Sequence, residues 1–116
     1  MIKSNPNVGV DLFEIERLRS KPFEKNKSLY AKIFHTDEID YCLRFSDPYP
    51  HFAGIFAAKE AIIKCYPEKI FFNDIVIDRK NNKIPLAKIL DNKNSQISIS
   101  ISHTSKLVTA MASNFL

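Results

Sequence analysis

Residues 51–66, His-Phe-Ala-Gly-Ile-Phe-Ala-Ala-Lys-Glu-Ala-Ile-Ile-Lys-Cys-Tyr, constrain the fold more than any other part of the chain. Phe52, Ile55, Phe56, Ile62 and Ile63 recur at helical spacing and cover a broad apolar face. The alanines between them let a neighbouring element pack closely. Pro67, which has no backbone N–H to donate, stops the helix.

The final third of the chain follows a different period. Residues 96–103 alternate apolar and polar without a fault, which predicts a half-buried strand with Ile97, Ile99 and Ile101 on one face and Ser98, Ser100 and Ser102 on the other. Thr104-Ser105-Lys106 turns the chain into a second strand over 107–112, completing a hairpin. Residues 74–78 are short and β-branched, and 79–83 form a polar link to Ile84-Pro85-Leu86. Ahead of the long helix, 8–10 reads as a short strand ending at Asp11, followed by a helix from Leu12 through Ile15, Glu16 and Arg19. Further short helices are expected over 23–30 and, with Thr36 as N-cap, over 36–45. Helices in the N-terminal half packed on a mainly antiparallel sheet make an α+β fold. With only Gly9 and Gly54 available, turns fall to Asn, Asp and Pro, as at 5–7, 47–50, 81–82 and 91–94.

At 116 residues the chain is long enough for a single domain, 1–116. Its 45% hydrophobic and 26% charged residues exclude a disordered or low-complexity segment. No run approaches the ~20 apolar residues of a membrane span, and the N-terminus has no apolar signal segment. Cys42 and Cys65 form neither a CxxC pair nor a disulfide framework, so they are expected as reduced thiols in a cytoplasmic protein. Three scattered His and two lone Cys give no zinc spacing. The net charge of +4 suggests an anionic partner, without distinguishing a nucleotide from an acidic protein or nucleic acid.

Asp11 and Glu60, far apart in sequence, could converge on a hard divalent cation that takes its other oxygens from water and phosphate. Lys59 and Lys64 would neutralise the remaining phosphate charge. The same spacing also admits a bland reading, in which Asp11 caps a helix and Glu60–Lys64 is a solvent-exposed pair. His103 ends the Ile/Ser strand at a turn, where it could reach a ligand or be an ordinary surface residue. Arg17, Arg19 and Lys21 form a basic cluster that could meet an acidic partner.

Residues 9–18, Gly-Val-Asp-Leu-Phe-Glu-Ile-Glu-Arg-Leu, resemble the opening Gly-x-Asp-Ile-x-x-Ile-x-Arg-Ile motif of the holo-acyl-carrier-protein synthases. Residues 52–64 resemble that family's signature helix, Phe-x-Ala-Lys-Glu-Ala-x-x-Lys, and the strands at 74–77 and 98–104 fall in the family's order. The resemblance implies a 4′-phosphopantetheinyl transferase fold and activity. Such enzymes transfer the phosphopantetheine arm of coenzyme A to a serine of apo acyl carrier protein and release adenosine 3′,5′-bisphosphate, in the service of fatty acid biosynthesis. It also implies that Asp11 and Glu60 bind magnesium, that Lys64 with Lys59 beside it and His103 contact the coenzyme A phosphates, and that Arg17 meets the carrier protein. Glu60, or a water it orients, is the implied base. The family is homotrimeric, with sites between subunits. Two departures stand out. Ile55 occupies a position that is basic in many members, and Pro67-Glu68-Lys69-Ile70 replaces the family's Gly-Thr-Gly-Ile loop, with Lys69 offering a compensating charge. The alternatives are an inactive or divergent carrier-binding relative, a metal-dependent nuclease, or a basic module binding an acidic protein or RNA. Glu60 and Lys64, four apart on a helix, do not match a nuclease strand, and the chain lacks interleaved aromatic and basic residues for stacking on nucleic acid.

Overall fold

The computed structural model describes residues 7–79 and 84–114. Its first element is strand β1 (Asn7–Glu14), longer than the strand expected over 8–10. Gly9, Asp11 and Phe13 face inward and Val8, Val10 and Leu12 outward, a period of two that overrides the helical spacing read from Leu12. The reason is pairing: β5 (Leu107–Asn114) runs antiparallel to β1 along its whole length, from Asn7 opposite Asn114 to Glu14 opposite Leu107. Asp11 therefore lies inside a strand rather than at a helix start. The helix that follows is a single turn, α1 (Glu16–Arg19), entered after Ile15 N–H donates to the Lys106 carbonyl at 2.9 Å.

A 3-10 turn (Phe23–Lys25) and two short helices, α2 (Lys27–Ile33) and α3 (Thr36–Cys42), complete the N-terminal half. The cap of α3 is His35 rather than Thr36: the Glu38 carboxylate turns back and accepts the His35 backbone N–H at 2.8 Å. Helix α4 (Tyr49–Cys65) starts two residues before the expected position, because Pro50 fits a first turn where a missing N–H costs nothing.

Strand β4 (Ile97–His103) pairs with β5, as the alternation predicts, giving a three-stranded antiparallel sheet in the order β1-β5-β4. A second sheet pairs β2 (Ile75–Asp78) with β3 (Leu86–Ile89). The segments 1–6 and 80–83, including most of the polar link and the Asn5-Pro6 and Asn81-Asn82 turns, lie outside the described residues. Helix α4 lies across the three-stranded sheet, burying Ala57, Ala58, Ala61 and Ile62 against Phe13, Val108, Ala110 and Ala112. Small side chains on both surfaces bring helix and strands close together. An aromatic group made by Phe23, Tyr30, Phe34 and Phe52 closes the other side of α4, and the Tyr30 hydroxyl donates to the Lys21 carbonyl at 2.8 Å. The opposite sheet face is uncovered in the single chain: Val8, Val10 and Leu12 are 59%, 57% and 68% exposed. Cys42 and Cys65 are buried and unbridged. No helix among the described residues is long and apolar enough to cross a membrane.

Candidate active site

The site begins where β1 touches α4. A Cβ on Gly9 would run into the carbonyl oxygen of Ala61 and press on the Cβ of Lys64, so only glycine lets the strand backbone lie this close to the helix. Two residues on, and on the same face, Asp11 is carried to the last turns of α4. The Thr109 hydroxyl donates to the Asp11 carbonyl at 2.9 Å and holds that backbone from β5. Lys64 Nζ donates to the Val10 carbonyl at 2.8 Å and lies 3.4 Å from Asp11 Oδ1, so its ion pair is with the strand. Glu60, one turn earlier, is half-buried. Burial lifts its carboxyl above the ordinary carboxylate range, Asp11 adds to the lift, and Lys64 opposes it. One strand residue and one helical turn thus assemble two carboxylates and an ammonium. Neither half of the bland reading describes this arrangement, because Asp11 caps nothing and Lys64 reaches across to β1.

Lys59 does not join them, which corrects its expected place at the phosphates. It is fully buried, and its Nζ donates to Glu38 Oε1 at 2.7 Å, to the Ile33 carbonyl at 2.8 Å and to the Phe72 carbonyl at 3.3 Å. All three N–H groups are used. A rotation of ~100° per helical residue sends Lys59 and Glu60 to different sides of α4. Burial pushes the Lys59 ammonium down from its usual range, and Glu38 holds it up. The second oxygen of Glu38 accepts Ile77 N–H at 2.7 Å, so this pair joins α2, α3, α4 and β2. Glu38 carried no signal in the sequence beyond an acidic residue in a first turn.

His103 also stands apart from the acids within one chain. Asp11 is opposite Ala110 and Ala110 opposite Ile101, so His103 lies two strands over and two residues further along. It borders a small cleft with Tyr41, His51, Ile55 and Arg79. Of the basic cluster at α1, Arg17 is exposed, with its guanidinium 5.1 Å from the Phe13 ring centroid, whereas Arg19 is tied to Asp47 at 2.8 Å.

Residues 7–112 match the family model of the 4′-phosphopantetheinyl transferase superfamily. A holo-[acyl-carrier-protein] synthase of Chlamydia felis is 37% identical over 114 residues, covering 91% of this chain and 93% of the relative. The chain belongs to the holo-acyl-carrier-protein synthases of that superfamily. It is a phosphopantetheinyl transferase, and a synthase of Thermodesulfovibrio yellowstonii is likewise 35% identical over 106 residues, covering 89% of this chain and 92% of the relative. Among solved structures, the Helicobacter pylori synthase in complex with coenzyme A superposes with a TM-score of 0.78 at 28% identity, covering 92% of this chain and 98% of that one. The Bacillus anthracis synthase shares the fold with a TM-score of 0.80 at 21% identity, covering 94% of this chain and 95% of that one.

Proposed function

We propose that the chain transfers the 4′-phosphopantetheine arm of coenzyme A to a serine of apo acyl carrier protein, uses magnesium, and releases adenosine 3′,5′-bisphosphate. The observation that carries this reading is the convergence of Asp11, Glu60 and Lys64 on one edge of α4. Among the described residues no group of three acidic, histidine or cysteine side chains is placed to hold a metal. Two carboxylates alone suit magnesium, which keeps waters and takes phosphate oxygens. Bound there, the ion would neutralise charge on the phosphoryl oxygens.

In the transfer, the serine oxygen forms a bond to the phosphorus bearing the pantetheine arm, and the bond from that phosphorus to the bridging oxygen breaks. The electron pair leaves with the adenosine bisphosphate. Glu60 is suited to accept the serine proton, directly or through a water it orients, because its raised pKa makes it a better base than an exposed carboxylate. Lys64 supplies fixed positive potential beside the same oxygens. Arg17, exposed on α1, presents a guanidinium to an acidic carrier protein.

Assembly as a homotrimer is supported by the bare apolar sheet face and by the separation of His103 from the acids, since a neighbouring chain's cleft can complete a site that one chain leaves divided. Work in the cytoplasm agrees with two free, buried thiols. An inactive carrier-binding relative is the weaker reading, because both carboxylates and Lys64 are together. Incubating the protein with coenzyme A, magnesium and apo carrier protein tests the proposal by intact mass. The carrier should gain one phosphopantetheine arm; an unchanged carrier mass rejects the transferase reading.

A further inference from the structure

Polarity gives helix α4 only a shallow preference for which way it faces. The side that carries Glu60 also carries the apolar Phe56 and Ile63, and the sheet meets small alanines at 57, 58 and 61. Lys59 is the charged exception among the buried residues of the helix, and Glu38 receives it at 2.7 Å. We propose that Glu38 is a positioning residue for the transfer: acting through Lys59, it sets the rotation of α4 about its axis and with it the place of Glu60 opposite Asp11. This inference rests on the proposed function for the role of Glu60.

Glu38 is itself held in one direction. It is 2% exposed, and its two oxygens accept from His35 N–H at 2.8 Å, Lys59 Nζ at 2.7 Å and Ile77 N–H at 2.7 Å. Two of these donors are backbone groups, so the carboxylate cannot swing without breaking bonds to the start of α3 and to β2. Lys59 is fixed in turn by the carbonyls of Ile33 and Phe72, at 2.8 and 3.3 Å. Hydrogen bonds of this kind are directional, whereas the packing of small apolar side chains is not. A buried ion pair adds little net stability over apolar residues of similar volume, so its contribution here is orientation.

The tolerance at Glu60 is small. A side-chain tip lies about 5–6 Å from the helix axis, so a rotation of about 10° moves it about 1 Å. Magnesium demands near-ideal octahedral geometry, and a misplacement of about 1 Å costs up to about a hundredfold in rate. The tie on the other side of the helix, from Lys64 to the Val10 carbonyl at 2.8 Å, belongs to a side chain 54% exposed and open to competition from water. The buried tie at Glu38 is therefore the stiffer of the two.

Glu38→Leu combined with Lys59→Met tests this, because it removes the pair without stranding a charge. A single cooperative urea transition establishes that the variant folds. Its manganese affinity, measured by electron paramagnetic resonance with coenzyme A present, should fall about tenfold or more. Its kcat should fall about ten- to a hundredfold while KM for the carrier stays within about twofold, since Arg17 lies on α1. Glu38→Gln, whose amide oxygen still accepts from Lys59, should fall between that variant and wild type, and it serves as the test if the double variant does not fold. Wild-type manganese affinity and kcat in the folded variant overturn the proposal. So does a carrier KM that rises in step with the loss of kcat, which would mark general damage rather than a displaced Glu60. Absence of transfer by the wild type would instead reject the proposed function.

Discussion

Glu60 shows how burial and a neighbouring like charge act together on one side chain. Its ionised form is disfavoured by burial and by Asp11, so its folded pKa stands above the unfolded value. For a carboxyl shifted upward, ionisation removes stability as pH rises through the raised range, and the loss is absent below the unfolded pKa. Without metal, Glu60→Gln should therefore unfold at a higher temperature than wild type at neutral pH. The two melting curves should converge as pH falls into the ordinary carboxylate range, while transfer is abolished. Identical melting temperatures at every pH would show that the carboxyl is not under this strain. Asp11 and Gly9 were legible as a motif, but their reason was not. A sequence can pair Gly with Asp at i and i+2 without revealing that the glycine makes room for the Ala61 carbonyl and thereby sets the depth at which Asp11 meets the helix.

At the scale of elements, α4 and the β4–β5 hairpin were legible because their periods are unbroken and their ends are marked by Pro67 and by the Thr104-Ser105-Lys106 turn. The extent of β1 was not. Its eight residues are held by β5, almost a hundred residues away, and local spacing around Leu12 and Ile15 equally suits a helix. Lys59 was misplaced for a related reason: adjacent residues of one helix face different surroundings, and its partner Glu38 comes from another element. This pair fixes how α4 is rotated relative to α3 and β2, and so which side chains it turns toward β1. Removing one member leaves an unpaired buried charge, a loss of about 3–5 kcal/mol. Lys59→Met should cost about that much in urea denaturation, and Lys59→Met with Glu38→Leu considerably less. A double variant as unstable as the single one would mean that the lost hydrogen bonds to Ile33, Phe72 and Ile77, rather than the stranded charge, dominate.

Across the whole molecule, the two faces of the three-stranded sheet differ. One sheet face is covered by α4, while the other carries Val8, Val10, Leu12 and Met111 in the open. A contiguous apolar surface of this kind marks an interface. Val10→Glu, which puts a charge in the middle of that face, should convert the proposed trimer to monomer in sedimentation and reduce transfer with it. A variant that sediments as the wild type does would contradict an interface on this face. The proposed assembly was accessible from sequence only through family resemblance, because the outward residues of β1 alternate with inward ones and nothing local says which set would meet another chain.

If Asp11 and Glu60 hold one shared cation, manganese binding measured by electron paramagnetic resonance in the presence of coenzyme A will depend on both. Asp11→Asn and Glu60→Gln should each weaken binding at least about tenfold, and the double variant should lose little more than either single one, because residues acting as one unit are not additive. Two independent, additive losses, or a single variant that binds manganese as tightly as wild type, would contradict it.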